Sequence, residues 1–179
     1  MPKKEVRNHS GGSAIVRDLI LGGQDGLVNV LGVVLAIATA TQSRYIILIS
    51  GLAATFAESI SMAAVAYTSG KAGKEYYRKR RNHISEEFAY PVRDAFVVGV
   101  AAIVGSLIPL IPFFFIPIQQ AFWTTLGFST LVLFISGAVK AKYTGANTFK
   151  SAVEMAVVGM TAAIAGYAIG AALGALPLA

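Results

Sequence analysis

The sequence contains no cysteine. Disulfides, thiolate metal sites and iron–sulfur clusters are therefore excluded. Charge is scarce: Asp, Glu, Lys and Arg make up 13% of the 179 residues, where a soluble domain carries about 25%. Two histidines are present, His9 and His83. Both lie in polar segments, so neither can supply an intramembrane zinc ligand. No glycine-rich nucleotide loop occurs, which argues against ATP-driven pumping by this chain. No Ser–His or Asp–Asp pattern recurs at matched depth, so no enzyme is expected. The opening stretch MPKKEVRNHSGGSAIVRD is polar and lacks an early apolar core, so no cleavable leader is expected.

What remains is apolar. Hydrophobic residues make up 55% of the chain, and the mean hydropathy is +0.65. This predicts an all-α integral membrane protein. Five stretches match the roughly 20 helical residues that a bilayer core requires. They run from about Leu19 to Thr41, Tyr45 to Ser69, Ala95 to Leu110, Ile118 to Val139 and Ser151 to Leu173. Residues 1–18 form a basic arm, and residues 70–94 a basic connection. Neither a proline nor paired glycines interrupts Lys71–Arg81, so the second helix is expected to continue past the membrane. Pro109, Pro112 and Pro117 bracket Phe113–Phe115, which predicts a tight interfacial turn.

Lys and Arg set the topology. Fourteen of the fifteen fall in the arm and the connections after spans two and four; Arg44 alone falls on the other side. The N-terminus is expected in the cytosol and the C-terminus outside. The net charge of +6 thus reflects topology and lipid headgroups, not nucleic-acid binding. Small residues form two stripes, Gly32-Ala36-Ala40 and Gly166-Gly170-Gly174. Such stripes allow close backbone approach in lipid, first within one chain and second between two copies.

Three acidic residues fall within the apolar spans: Asp25, Glu58 and Glu154. A carboxylate at membrane depth is costly and usually functional. Asn29 follows Asp25 by one turn on the same face, and Met62 follows Glu58 likewise. No Lys, Arg or His lies at comparable depth; Arg17 and Arg93 stand near span ends. Either the carboxyls are protonated or a mobile cation visits them. A thioether beside a carboxylate suits a soft or borderline metal better than Mg²⁺ or Ca²⁺. Plainer readings exist. Glu58 can be a protonated partner of a neighbouring helix. Glu154 can snorkel or cap, Asp25 can cap a helix, and Met62, Met155 and Met160 can simply pack.

Three stretches resemble the vacuolar iron transporter family. They are LILGGQDGLVNVLGVV at 19–34, GLAATFAESISMAAVAY at 51–67 and GAVKAKYTGANTFKSAVEMAVVGMTAAIAGYAIG at 137–170. The resemblance implies a homodimer of five-helix protomers, with a transport path near the two-fold axis. It implies export of Fe²⁺ or Mn²⁺ from the cytosol in exchange for protons, with no bound cofactor. Asp25 and Met62 match residues implicated in metal passage, and Glu58 matches the acidic position four before that methionine. Asn29 and Glu154 are then outer contributors, and Met155 and Met160 secondary candidates. Two departures stand out: Ala66 and Ala54 occupy positions where some members carry further oxygen ligands. Plant members insert a glutamate-rich metal-collecting domain between spans two and three. Here that connection is short and basic, as expected of a short member in a prokaryotic cell membrane. The competing expectations are a dimeric scaffold or metal sensor that moves nothing, and an organic-cation carrier. No aromatic cluster beside Glu58 favours the last.

Overall fold

The computed structural model describes residues 10–81 and 88–175, with side chains from Ala14 onward except at 80 and 81. His9, His83, Glu86 and Glu87 lie outside the described residues. Helix α1 runs over Ser10–Thr41 and α2 over Arg44–Arg81. Helix α3, Pro91–Leu107, continues through a 3₁₀ turn at Ile108–Leu110 into α4, Ile111–Phe115. Helices α5, Ile118–Thr144, and α6, Thr148–Gly174, complete the bundle. Five helical segments are long and apolar enough to cross a membrane, with α3 and α4 making one of them. No strand occurs among the described residues.

The helices overrun several sequence-based boundaries. Helix α1 starts at Ser10, inside the expected arm and through the paired glycines Gly11 and Gly12. Helix α5 extends through Lys140 and Lys142 to Thr144, so the expected lysine-rich loop shrinks to 145–147. Gly145 stops the helix at φ +71°, where a residue with a Cβ is strained. Asn147 opens α6, its side chain accepting from the Lys150 N–H at 3.0 Å. The α2 extension to Arg81 is present as expected. Its inner face is pinned at the start of α3. Tyr77 stacks on Phe88 with ring centroids 5.7 Å apart, and Lys74 Nζ donates to the Ala89 carbonyl at 3.0 Å.

The proline-rich tract corrects the expected turn. Pro109 and Pro112 sit inside continuous helical backbone, and Phe113 is fully buried. The missing N–H of Pro112 is absorbed by the 3₁₀ turn, where the Ile111 N–H bonds the Ile108 carbonyl instead. The Pro109 carbonyl accepts from buried Thr125 Oγ1 at 3.0 Å. The chain breaks only at Ile116, with φ −123° and ψ 161°. That is the extended conformation which a following proline imposes. Arg44 Nη2, from the α1–α2 turn, donates to the Ile116 carbonyl at 2.9 Å. The lone basic residue opposite the basic end thus ties two turns together.

Helix α1 is the axis of the protomer and packs most extensively on α3 and α6. One core cluster joins Val30, Val34 and Ala38 to Ile47, Leu110, Phe113 and Ala121. The other joins Leu27, Leu31 and Leu35 to Leu133, Met155 and Ala163. Both contacts of α1 are made through backbone. A Cβ on Gly105 would collide with the Gly23 carbonyl, and one on Gly166 with the Gly32 carbonyl. The two small-residue stripes therefore meet each other inside one chain: Gly166 on Gly32, Gly170 on Ala36, Gly174 on Ala40.

Helix α2 is held against α3 by Ser59 Oγ, which donates to the Gly99 carbonyl at 2.7 Å in a buried setting. Ser59→Ala is expected to cost about 1 kcal/mol. Thermal unfolding in detergent checks this, with exposed Ser61→Ala as the neutral comparison.

Candidate functional site

Helices α1 and α2 are joined by the two residues Gln42 and Ser43 and so run antiparallel. Gln42 adopts φ +50° to make this turn. The antiparallel pairing brings Asn29 and Glu58 together near the middle of both spans. Asn29 Nδ2 donates to Glu58 Oε1 at 2.5 Å. The Asp25 carboxyl lies within electrostatic reach of Glu58. Asp25 is one turn from Asn29 toward the basic end, and Met62 is one turn from Glu58 in that same direction. Asp25 and Asn29 of α1 therefore both face Glu58 of α2, and Met62 lies one turn beyond Glu58 toward the basic end. Asp25 and Asn29 are exposed on the protomer surface, while Glu58 and Met62 are half-buried.

No ion pair reaches Asp25, Glu58 or Glu154 among the described residues. The Asn29 amide offers N–H to one Glu58 carboxyl oxygen, and an amide oxygen can itself act as an acceptor or ligand. Two carboxyls and an amide thus meet with no ion pair among the described residues, with a thioether one turn from Glu58. Such a set can ligate a divalent cation through oxygen and sulfur.

A groove of about 440 Å³ continues from this surface between α1 and α6, lined by Asn29, Val33 and Ile37 on one side and Ala162, Ala165 and Ile169 on the other. Glu154 stands eleven residues before Ala165. Eleven residues are almost exactly three helical turns, so Glu154 faces the same side nearer the basic end. It is exposed.

Met155 and Met160 are turned elsewhere. Met155 is 4% exposed and packs with Leu133. Met160 accepts from Thr130 Oγ1 at 3.5 Å. Met155 belongs to the face that α6 buries, with Gly159 and Ala163, and Met160 reaches α5 through Thr130. Both therefore stand apart from Asp25 and Glu58, against α5.

Two acids escaped the sequence reading. Asp18 and Asp94 lie inside the candidate spans and are 2% and 8% exposed. Each accepts from the arginine before it: Arg17 Nη2 at 3.1 Å and Arg93 Nη2 at 2.8 Å. The signal was present as a repeated tripeptide, Val16-Arg17-Asp18 and Val92-Arg93-Asp94. Helices α1 and α3 run parallel, with Gly22 on Val98 and Gly26 on Ala102, so the two tripeptides sit at matching heights. Arg17 and Arg93 each pair with these acids, and among the described residues no fixed counter-charge reaches Asp25 or Glu58.

Comparison with known proteins gives a consistent picture. A family model described as the VIT family matches residues 16–90 and 82–171. The matches meet at the α2–α3 connection. A vacuolar iron transporter 1 of Tulipa gesneriana is 25% identical, covering 96% of this chain and 92% of its own length. An uncharacterized protein of Methanocaldococcus jannaschii is 26% identical, covering 90% and 91% respectively. A vacuolar iron transporter homolog 2 of Oryza sativa is 28% identical over 86% of this chain and 88% of its own. The tulip alignment extends over 227 residues, more than the 179 present here, so that relative carries inserted residues.

Proposed function

Because this chain belongs to the VIT family, which matches most of its length, we propose that it is a divalent-metal transporter carrying Fe²⁺ or Mn²⁺ in exchange for protons. Relatives named vacuolar iron transporter support iron as a substrate. The single observation that carries the mechanism is the unneutralised group Asp25, Asn29, Glu58 and Met62 at mid-span, on an open face of α1.

Carboxylates at this depth cannot face hydrocarbon cheaply. A second copy of the chain, laid α1 to α1, covers them and doubles the ligand set around a shared axis. In this homodimer the metal is desolvated by Asp25 and Glu58, and Met62 biases the site against hard cations. Asn29 orients Glu58 through its amide. Glu154 draws cations toward the path from the basic end. Each carboxylate holds either a proton or the metal, never both, so the two fluxes are coupled without ATP. The excess of Lys and Arg at the basic end supports a cytosolic basic end, from which the proposed transporter exports metal across a prokaryotic membrane.

The test is Fe²⁺ uptake into proteoliposomes loaded with a pH-sensitive dye. Metal-driven proton movement out of the lumen is the expected result. Metal binding with no flux would instead mark a sensing scaffold. Met62→Ala is expected to narrow the preference for Fe²⁺ over Mg²⁺ by about tenfold, one thioether ligand being worth on the order of 1.4 kcal/mol. Competition uptake with both ions present measures it.

A further inference from the structure

At the basic end α1 and α5 diverge around a cleft of about 320 Å³. Ile20 and Leu21 line it from α1, and Lys140, Tyr143 and Thr144 from α5, with Arg17 beside them. Lys140, Tyr143 and Thr144 share one helix face by their spacing. Arg17 is oriented by buried Asp18, which takes both its Nε and Nη2. Lys140 and Arg17, the latter paired with Asp18, border the cleft, and among the described residues no carboxylate lines it.

The height of the cleft decides its ligand. Arg17 lies at the start of the span Ala14–Thr41, and Lys140 near the end of Ile118–Thr144. The cleft therefore straddles the boundary between hydrocarbon and headgroups, where a tyrosine ring is at home. Its aliphatic floor runs into the bilayer while its cations stay at the edge. A matching molecule has an anionic head and a hydrocarbon tail. Free phosphate would leave the floor wet.

We infer that this cleft binds one anionic phospholipid from the leaflet at the basic end. The phosphate sits between Lys140 and Arg17, and an acyl chain lies along Ile20 and Leu21. Basic recesses between membrane helices are known to select such headgroups. Occupancy does not depend on metal transport.

Native mass spectrometry of the full chain tests this, after reconstitution in equal phosphatidylglycerol and phosphatidylcholine and extraction into detergent. The wild type is expected to retain phosphatidylglycerol in preference. Lys140→Gln lowers that retention about fivefold, and Lys140→Arg restores it. Lys142→Gln removes the same charge from the same helix, but Lys142 does not line the cleft, so retention is unchanged. Tyr143→Ala weakens retention without altering charge. No preference in the wild type, or equal loss in the Lys140 and Lys142 variants, would overturn the site. Displacement of the lipid by excess inorganic phosphate would overturn the lipid as its occupant.

Discussion

Proteoliposomes bearing Asp25→Ala with Glu58→Ala are expected to lose Fe²⁺ uptake by at least about a hundredfold. Even at an effective dielectric of about 20, a charge pair at roughly 4 Å is worth about 4 kcal/mol. Removing both carboxylates therefore takes away more than the roughly 2.8 kcal/mol that a hundredfold corresponds to. Folding should survive. Asp25 is exposed on the protomer and Glu58 only half-buried, and deleting unpaired charges from an apolar span relieves a cost. Asp25→Asn and Glu58→Gln separate charge from shape: each keeps its side-chain volume and should still lower flux by tenfold or more. Asn29→Ala should do less, since it removes the orienting amide of Glu58 and leaves both charges. Wild-type flux in the double variant would end the proposed path.

The second large effect concerns the seam of α1 and α6. Gly166→Leu is expected to abolish recovery of folded, monodisperse protein. Its Cβ would meet the Gly32 carbonyl, a backbone atom that cannot step aside. Overpacking costs about 1–3 kcal/mol where side chains can yield; here they cannot. Gly127→Leu makes the same change where a Cβ meets nothing within 4 Å, and should be silent. Size-exclusion profiles and thermal midpoints in detergent distinguish the two. A folded Gly166→Leu monomer that merely fails to dimerise would move this stripe from the intramolecular seam to the interface between copies.

Much of this was legible in the sequence. Apolar runs and sparse charge define the membrane class and the five spans. The uninterrupted stretch Lys71–Arg81 foretold the long α2. The two small-residue stripes were visible, though not that each would be the other's partner, because a stripe states only that something comes close. Asp25 with Asn29, and Glu58 with Met62, followed from helical spacing. Their meeting across two helices depended on the length of the α1–α2 turn. The prolines misled for a local reason: one 3₁₀ turn absorbs the missing N–H of Pro112, so the helical path survives to Phe115. The lysines of α5 mislead because charge does not end a helix, whereas Gly145 does. Asp18 and Asp94 were hidden by their own arginines, which made them look like ordinary span-end charge. Met155 and Met160 looked promising from their neighbours in sequence, while the α5 seam decided their direction.

Seating α1 backbone-to-backbone on both α3 and α6 also limits what can move. A helix packed through side chains can slide by exchanging rotamers. One whose glycines nest against opposing carbonyls has no such slack, so neither a piston stroke nor a twist of α1 alone is open to it. Asp25 and Asn29 consequently ride with a three-helix block, and in the proposed dimeric transporter a switch of their exposure would have to come from α2 tilting or from two such blocks rocking past one another.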